Sequence, residues 1–354
     1  MKNGKVKIGL GKTVVLGLSG GVDSLVSAIL LKAQSYRVIA CSFKLWNNEA
    51  SIENARNLAR KLEIEFKVLD ITKSFKNKIV DPFIADYLGG ETPNPCVWCN
   101  NEIKAYYLHQ EMINSGADFF ATGHYIRISK INKHYFIHKG KDPAKDQSYF
   151  LWNVREKYLQ YWLTPLGGYL KTEVKQIAID HKMGFLAHKK ESMGVCFIGG
   201  SGYHQFINEY KTKGTKINEG NIVDNNNKVL GKHKGTAFYT IGQKKGLNLE
   251  DKKLTVVDID AKSNIIKVAY DSDLNCKEFV AYDYYFINKE DIKNPELTVW
   301  VRGIGRNPEG FCRVEIIDGS IINIALDGIA WALAAGQPIA FYIQNRLVGG
   351  AYIK

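Results

Sequence analysis

One stretch constrains the fold of this chain more than any other. An apolar run at residues 13–18 breaks into a glycine turn and continues as a helical pattern to residue 33. Val14, Val15 and Leu16 are typical of a buried central strand. Gly20 and Gly21 permit backbone angles that a side chain would forbid, and they leave main-chain N–H groups open to an anion. Because a helix N-terminus also favours negative charge, the stretch predicts a nucleotide phosphate site.

An ordinary strand, turn and helix with a serine cap is the other interpretation of this stretch. The full string Ser-Gly-Gly-Val-Asp-Ser at residues 19–24 is more specific than two glycines alone. Gly11, Lys12 and Thr13 look like the end of a Walker A loop, but that motif needs a glycine where Val6 stands and must follow a strand. A Walker A site is therefore not predicted.

Composition limits the class of protein. The chain has 354 residues, 45% hydrophobic and 24% charged, which indicates a globular protein of two or three domains. Its formal net charge of +12 suits a polyanionic partner such as RNA, or simply a solubilising surface. Neither a signal segment nor an apolar run of about 18 residues is found, so we expect a cytoplasmic protein. Six cysteines are too few for a disulfide scaffold, so those with motif spacing are expected to be catalytic or metal-binding.

Strands and helices alternate through the first part of the chain. Further strands are predicted at residues 37–45, 65–69 and 118–125, with a helix at 51–62. This alternation implies a parallel sheet covered on both faces, with ligands bound at the carboxyl ends of the strands. Phe43 would then lie beside the glycine turn, around one nucleotide.

Two thiols lie close together before a helical run. Cys96 and Cys99 fall in residues 88–100, where two prolines predict irregular structure. A thiol at a helix N-terminus is a better nucleophile or ligand, although a buried structural pair is the alternative. Cys196 lies between glycines in residues 192–200, a loop that can move. The remaining thiols are interpreted as packing residues: Cys41, Cys276 and Cys312.

The composition changes near Tyr203. Short strands with turn signals follow, and five lysines without an acidic residue lie between residues 225 and 249. Positive charge beside aromatic residues suits RNA, although a solvated hairpin face is the alternative. From residue 279 the strands alternate as in a small antiparallel barrel. We therefore predict an α/β fold with a parallel-sheet domain at residues 1–203, a small β-rich central domain at 204–272 and a C-terminal antiparallel β-barrel at 273–354.

Seven strings, taken in order, resemble the bacterial tRNA-specific 2-thiouridylase (MnmA) family of PP-loop ATPases. They lie at residues 17–24, 92–100, 121–125, 145–149, 194–199, 239–243 and 335–337. The resemblance implies a sulfurtransferase that uses ATP to replace the C2 oxygen of the wobble uridine with sulfur in tRNAs for Lys, Glu and Gln, forming AMP and pyrophosphate. It also implies a cysteine desulfurase or sulfur-relay protein as a partner.

The resemblance assigns roles to individual residues. Phe43 and Gly123 would bound the adenosine, and Mg²⁺ would bridge the phosphates. Cys99 matches the nucleophile and Cys196 the carrier of the persulfide. The ATP phosphates would be held by Gly17, Leu18, Ser19, Gly20, Gly21, Val22, Asp23 and Ser24.

The resemblance also implies where tRNA binds. Asn94, Pro95 and Cys96 would meet the uridine, which must leave its stack for chemistry at C2. The other positions that match tRNA contacts are His124, Lys145, Asp146, Gln147, Arg302 and Gln337. By itself, His124 would more often be structural.

Two positions depart from the family pattern. Many members have Asp where this chain has Cys96, and an aromatic residue where it has Gly303. If Cys96, Cys99 and Cys196 converge, three thiolates could hold a [4Fe–4S] cluster whose open iron carries hydrosulfide, as an alternative to a metal-free persulfide route.

Two other functions remain open. Another PP-loop adenylating enzyme, such as an amidotransferase or a lysidine synthetase, would share the glycine turn without needing both thiols. A non-catalytic tRNA-binding paralogue would keep the basic surface and lose the turn or the thiols.

Overall fold

The computed structural model describes residues 8–45, 48–189, 194–198, 202–303 and 305–354. The chain divides into two compact units, and each is assembled from separated stretches. Unit 1 comprises Met1–Lys78, Val97–Phe197 and Asn345–Leu347, and unit 2 comprises Ile79–Cys96, Ile198–Gln344 and Val348–Lys354. Within the described ranges, no helix has both the length and the apolar character needed to cross a membrane.

The strands of unit 1 form a parallel sheet and a hairpin. They are β1 (Thr13–Gly17), β2 (Arg37–Lys44), β3 (Glu65–Asp70), β4 (Phe119–Ala121), β5 (Ile126–Ile131), β6 (His134–Lys139) and β7 (Trp162–Leu163). Among the described strands, five pair in the order β3-β2-β1-β4-β7, with β1 at the centre and parallel to both neighbours. β5 and β6 pair as an antiparallel hairpin.

Helices cover this sheet. Those in unit 1 are α1 (Val22–Ala33), α2 (Glu49–Lys61), α3 (Thr72–Phe75), α6 (Tyr106–Asn114), α7 (Glu156–Leu159), α8 (Lys171–Asp180) and α9 (Gly184–Ala187), and α5 (Pro95–Cys99) crosses between the units. A π-helical stretch, Asn100–Ala105, joins α5 to α6. α1 is apolar on more than one face. Leu25 and Val26 are fully buried in a cluster with Val174 and Ala178 of α8, whereas Ala28 and Leu31 are buried in a second cluster that includes Val14 and Leu16 of β1. Each buried leucine or valine contributes about 1.5–3 kcal/mol.

Unit 2 is mostly strand. Its helices are α4 (Asp81–Leu88) and α10 (Gly202–Tyr210), and its strands are β8 (Gly220–Val223), β9 (Val229–His233), β10 (Thr255–Asp260), β11 (Ile265–Ala269), β12 (Asn275–Phe286), β13 (Leu297–Trp300), β14 (Cys312–Ile316), β15 (Ile321–Trp331), β16 (Pro338–Ile343) and β17 (Arg346–Ile353). In the described part of this unit, β10-β11-β8-β9 form one sheet, and β13-β16-β17-β12-β15-β14 form an antiparallel sheet. Tyr87 and Leu88 of α4 pack against the apolar cluster of the first of these sheets.

The predicted fold class is confirmed: a parallel sheet with helices comes first, followed by a central region and an antiparallel sheet-rich region. Residues 95–99, predicted as irregular, form helix α5 instead. Proline is tolerated at a first helical position because the N–H it lacks would be unpaired there. The alternating strands predicted from residue 279 are observed as β12 to β17. The three-domain boundaries stay a prediction.

Candidate functional site

The glycine turn closes on itself at the start of α1. The Ser19 N–H donates to Ser24 Oγ at 3.1 Å, and the Ser24 hydroxyl donates to the carbonyl oxygen of Gly21 at 3.1 Å. Gly21 precedes the helix in an extended conformation, with φ −94° and ψ 168°. The turn is therefore held in shape by its own side chains, and the first N–H groups of α1 are presented to an anion.

Two glycines are required by close packing around this turn. Gly20 has φ +81°, and a Cβ built on it would lie 3.0 Å from the carbonyl oxygen of Ser51 in the first turn of α2. Gly123 follows β4, and a Cβ there would lie 3.1 Å from the carbonyl carbon of Asp23. The strand that follows α6 is thus drawn directly onto the first turn of α1, as the parallel order of β1 and β4 requires.

Asp23 is held by two neighbours. The Lys171 ammonium lies 2.7 Å from Oδ1 and 2.8 Å from Oδ2 of Asp23, and the Tyr125 hydroxyl donates to Oδ1 at 2.7 Å. Only 9% of the Lys171 side chain is exposed, against 37% for Asp23. This cation and this hydroxyl fix the direction of the carboxylate in the first turn of α1.

Phe43 lies at the carboxyl end of β2, as predicted. It is half-buried, and its ring packs edge-on against Tyr107 at a centroid distance of 6.4 Å. The Asn48 side chain donates to the carbonyl oxygen of Phe43 at 2.8 Å and so fixes the strand end.

The loop that carries Lys145, Asp146 and Gln147 is folded by its own polar side chains. Asp146 Oδ1 accepts from the Gly140 N–H at 2.9 Å, and Asp146 Oδ2 accepts from the Ser148 hydroxyl at 2.7 Å. Gln147 Oε1 accepts from the Tyr125 N–H at 3.0 Å. Two of the three predicted tRNA-contact side chains therefore have structural partners that position the loop beside β4.

His124, which follows β4 closely in sequence, is buried. The Trp162 indole N–H donates to Thr122 Oγ1 at 2.9 Å, and Thr122 Oγ1 lies within hydrogen-bond distance of His124 Nδ1, at 2.7 Å. Burial, and then the nearby Lys104 cation, lower the pKa of His124 well below its usual range. His124 is a neutral side chain at physiological pH.

The helix that carries Cys99 is anchored in unit 1 by buried amides. The Asn100 side chain donates to the carbonyl oxygen of Phe150 at 2.9 Å, and Asn101 Oδ1 accepts from the Arg155 N–H at 3.2 Å. A π-helical stretch directly after Cys99 is the kind of irregularity that is frequent at functional sites. Further along, Leu108 of α6 packs against Gly17 of β1.

The thiols separate into two groups by burial. Burial raises the pKa of Cys41 and of Cys312 to about 12, and it also raises the pKa of Cys276, so these three are poor thiolates. Cys96 and Cys99 are half-buried, and Cys196 is exposed. Next to Cys196, the Phe197 ring packs edge-on against Phe75 at 5.6 Å. Of the predicted mobile loop at residues 192–200, residues 192–193 and 199–200 lie outside the described residues.

Thr92 joins three of the sequence motifs within unit 2. The Thr92 N–H donates to the carbonyl oxygen of Ala335 at 2.8 Å, and its hydroxyl lies 2.6 Å from that of Thr240. A Cβ built on Gly336 would lie 2.7 Å from the Glu91 carboxylate. The strings at residues 92–100, 239–243 and 335–337 therefore meet at one residue, Thr92.

Asn94 and Pro95 start helix α5. Asn94 Oδ1 accepts from the Cys96 N–H at 3.2 Å, a capping contact, and Pro95 occupies the first helical position. Both residues thus have a structural role in addition to the predicted contact with the base.

The Arg302 side chain is hydrogen-bonded to backbone carbonyl oxygens. Its guanidinium donates to the carbonyl oxygens of Trp331 and Ala332 at 3.2 and 2.8 Å, and it lies over the Trp331 ring at 4.9 Å. Gly242 approaches the same Trp331 and Ala332. Arg302 is thereby placed next to the string at residues 239–243.

The lysines of the central region are exposed to solvent. Lys244 forms an ion pair with Asp271 at 2.8 Å, and Lys232 donates to Asn221 at 2.7 Å. The exposed set is Lys228, Lys232, Lys234, Lys244 and Lys245.

Comparisons with known proteins cover the chain from end to end. Residues 12–200 match the tRNA methyl transferase HUP domain, residues 204–270 the tRNA methyl transferase PRC-barrel domain and residues 276–353 the aminomethyltransferase beta-barrel domain. A tRNA-specific 2-thiouridylase MnmA from Clostridium botulinum strain Alaska E43 is 36% identical over 97% of this chain and 98% of its own length. The protein of the same name from Clostridioides difficile strain 630 is 36% identical over 98% of this chain and 99% of its own length.

The chain belongs to the tRNA-specific 2-thiouridylase (MnmA) family. This confirms the resemblance inferred from the seven strings. The individual site residues stay predictions, since membership in the family does not test them one by one.

The three-thiolate site of Cys96, Cys99 and Cys196 stays a prediction. Among the described residues, no group of three or more His, Cys, Asp or Glu side chains is arranged to hold a metal ion. The idea that Cys96, Cys99 and Cys196 bind a [4Fe–4S] cluster therefore has no support from the geometry.

Several residues at this MnmA site were not identified from the sequence. Lys171 and Tyr125 contact Asp23, and Asn100 anchors the Cys99 helix. The Tyr125 and Asn100 positions lie inside quoted strings and could have been found there. Lys171 looks like an ordinary surface lysine at a helix start, and only the packing of α8 on α1 reveals its role.

Proposed function

We propose that this protein uses ATP to activate the C2 oxygen of the wobble uridine in tRNA and replaces that oxygen with sulfur. The observation that carries the proposal is that the phosphate-binding turn follows β1 and that α6, which continues from the Cys99 helix through the π-helical stretch, packs on the same strand, in a chain that matches the MnmA family over nearly its full length. The targets implied by the family resemblance are tRNAs for Lys, Glu and Gln.

The glycine turn supplies the phosphate site. The first N–H groups of α1 and the helix dipole would bind the β- and γ-phosphates of ATP as a pyrophosphate unit, with residues 17–24 around them and Phe43 and Gly123 beside the adenosine. Attack of the C2 oxygen on the α-phosphate then forms an adenylate and releases pyrophosphate. Since oxide is a poor leaving group and AMP a good one, this step prepares C2 for sulfur.

Asp23 and Ser24 are the residues that would lie closest to Mg²⁺ on the phosphates. The described residues form no site of three or more acidic or imidazole ligands, so most ligands would have to come from the phosphates and water, as is common for this ion. The Asp23 carboxylate would then contact both Mg²⁺ and the Lys171 ammonium. Mg²⁺ supplies neutralisation of the phosphate charge.

Cys196 and Cys99 would carry the sulfur. A persulfide on Cys196, loaded by a cysteine desulfurase or a sulfur-relay protein, attacks C2 through its terminal sulfur as the C2–O bond breaks and AMP departs. The Cys99 thiolate then attacks the Cys196 sulfur, the S–S bond to the transferred sulfur breaks and 2-thiouridine is released. A disulfide between Cys99 and Cys196 remains. An external thiol reductant must reduce this disulfide to two thiols before the next cycle.

The tRNA is proposed to contact both units. In unit 1, His124 and Lys145–Gln147 would contact tRNA, with neutral His124 able to act only as an uncharged partner. In unit 2, Asn94, Pro95 and Cys96 would meet the uridine, and Arg302 and Gln337 would contact tRNA. The convergence of three strings on Thr92 supports a shared substrate surface in unit 2. A cytoplasmic location stays a prediction.

Labelled ATP tests the activation step. With unmodified substrate tRNA, a sulfur donor and a reductant, ATP should yield AMP and pyrophosphate, and mass spectrometry of the digested tRNA should show 2-thiouridine at the wobble position. ADP as the product would contradict the proposal. AMP without thiolation would favour another PP-loop adenylating enzyme, and binding of tRNA without any turnover would favour a non-catalytic paralogue.

Iron analysis decides between the two sulfur routes. We expect protein purified without oxygen to be colourless and to support thiolation without bound iron. A brown preparation that loses colour and activity together when Cys96 is replaced by alanine would instead establish the cluster route.

A further inference from the structure

Lys171 brings a nearly buried positive charge to the phosphate-binding turn. Its ammonium contacts both carboxylate oxygens of Asp23, at 2.7 and 2.8 Å, and the Tyr125 hydroxyl donates to Oδ1 of the same carboxylate. The ammonium also lies 5.6 Å from the centre of the Tyr125 ring. We call Lys171, Asp23 and Tyr125 the Asp23 clamp.

The fold holds Lys171 in place by contacts that do not involve Asp23. The Lys171 N–H donates to Asp142 Oδ2 at 2.8 Å, and the preceding Leu170 N–H donates to Glu173 Oε2 at 2.6 Å. These bonds satisfy the first turn of α8 and fix where its first side chain starts. The long side chain then reaches Asp23 through a buried path.

The charge of Asp23 poses a problem for a phosphate site. A carboxylate in the first turn stabilises a helix, but it competes with a bound anion for the same N–H groups and repels it. Inside a protein, two unit charges about 4 Å apart interact far more strongly than in water. A cation bound to both carboxylate oxygens removes most of this repulsion.

We infer that Lys171 is a positioning residue of the ATP site, which acts through Asp23 by neutralising the carboxylate and holding it towards Tyr125. The inference rests on the proposed function, because it takes ATP as the anion at this turn. It assigns to Lys171 a task in nucleotide binding that a purely structural ion pair would not have.

Four proteins test this assignment: the wild type, K171M, D23N and the double variant D23N/K171M. Equilibrium dialysis with labelled ATP in EDTA measures binding without any contribution from Mg²⁺, and the melting temperature is recorded alongside. K78M is the matched control, because Lys78 pairs with Glu102 at 2.9 Å in the same unit but both side chains are more than two-fifths exposed. Exposed pairs of this kind contribute little.

K171M should weaken ATP binding by about tenfold or more, since it removes the positive charge that neutralises the Asp23 carboxylate at the turn. D23N/K171M should bind ATP within about threefold of D23N, because the lysine has no task once the carboxylate is neutral. K78M should bind like the wild type. If K171M does not fold, the comparison of D23N with the double variant still decides the matter.

Three results would overturn the inference. An unchanged dissociation constant in K171M, with only the melting temperature lowered, would make the pair structural. A tenfold loss on adding K171M to D23N would mean that Lys171 contacts the phosphates directly. A wild-type protein that binds ATP neither in EDTA nor with Mg²⁺ would remove the proposed function, and the inference with it.

Discussion

Replacing Gly20 by alanine strains the phosphate-binding turn in two ways. Gly20 has φ +81°, which costs a residue with a Cβ about 1–2 kcal/mol. The new Cβ would also lie 3.0 Å from the Ser51 carbonyl oxygen and 3.2 Å from Asn54 Cβ, both in α2. Overpacking against backbone costs about 1–3 kcal/mol more. The total is about 2–5 kcal/mol, and at about 2–4 °C per kcal/mol the melting temperature should fall by roughly 4–20 °C.

Gly21→Ala is a matched control one residue away. Gly21 has φ −94°, and the nearest atom to its added Cβ is Ser19 Oγ at 3.6 Å, an ordinary contact. Its melting temperature should stay within about 2 °C of the wild type, since the expected change is no more than about 0.5 kcal/mol. Differential scanning fluorimetry measures both variants, and ATP affinity shows whether a relaxed turn still binds nucleotide. Equal melting temperatures for the two variants would refute the conformational argument.

Three further predictions concern the thiols, the basic surface and His124. Cys99→Ser and Cys196→Ser should each abolish 2-thiouridine formation while tRNA binding in a filter assay stays nearly unchanged, whereas Cys276→Ser should remain active. Replacing four exposed lysines by glutamate, Lys232, Lys234, Lys244 and Lys245, should weaken tRNA binding and reduce its dependence on salt without changing ATP affinity. An unchanged dissociation constant for tRNA would indicate that these lysines only form a solvated surface. His124 has a lowered pKa, so the unfolded chain binds a proton that the native chain does not, and stability is lost as pH falls below about 6.5. Denaturant unfolding of the wild type should show this loss between about pH 7.5 and 5.5, and H124Q should show a smaller loss over the same range.

The alternation of strands and helices was predictable because each element has a period of its own. β1 is a continuous apolar run, and the first turn of α1 follows two glycines, so the phosphate site could be placed from residues 13–33 alone. Ser24 was expected in the turn, and its hydroxyl indeed closes it.

The helix over residues 95–99 and the clamp on Asp23 could not be predicted by the same means. Proline is compatible with both a loop and a first helical turn, and the capping bond from Asn94 decides in favour of the helix. Lys171 lies 148 residues from Asp23 in sequence, and no local pattern reports a contact over that distance. His124 was expected to contact tRNA, yet its burial depends on Trp162, which belongs to a strand too short to recognise.

The division of the chain into units has a consequence for fragments of this protein. Residues 79–96 come before most of unit 1 in sequence but belong to unit 2, where Phe83 is 1% exposed and Tyr87 stacks on Tyr203 at 4.8 Å. A polypeptide cut near Tyr203 would carry α4 without the strands that cover it, and the remainder would lack α4. Neither half would contain all the residues of its own apolar core. Cleavage by a protease between the halves should therefore leave them associated until denaturant is added.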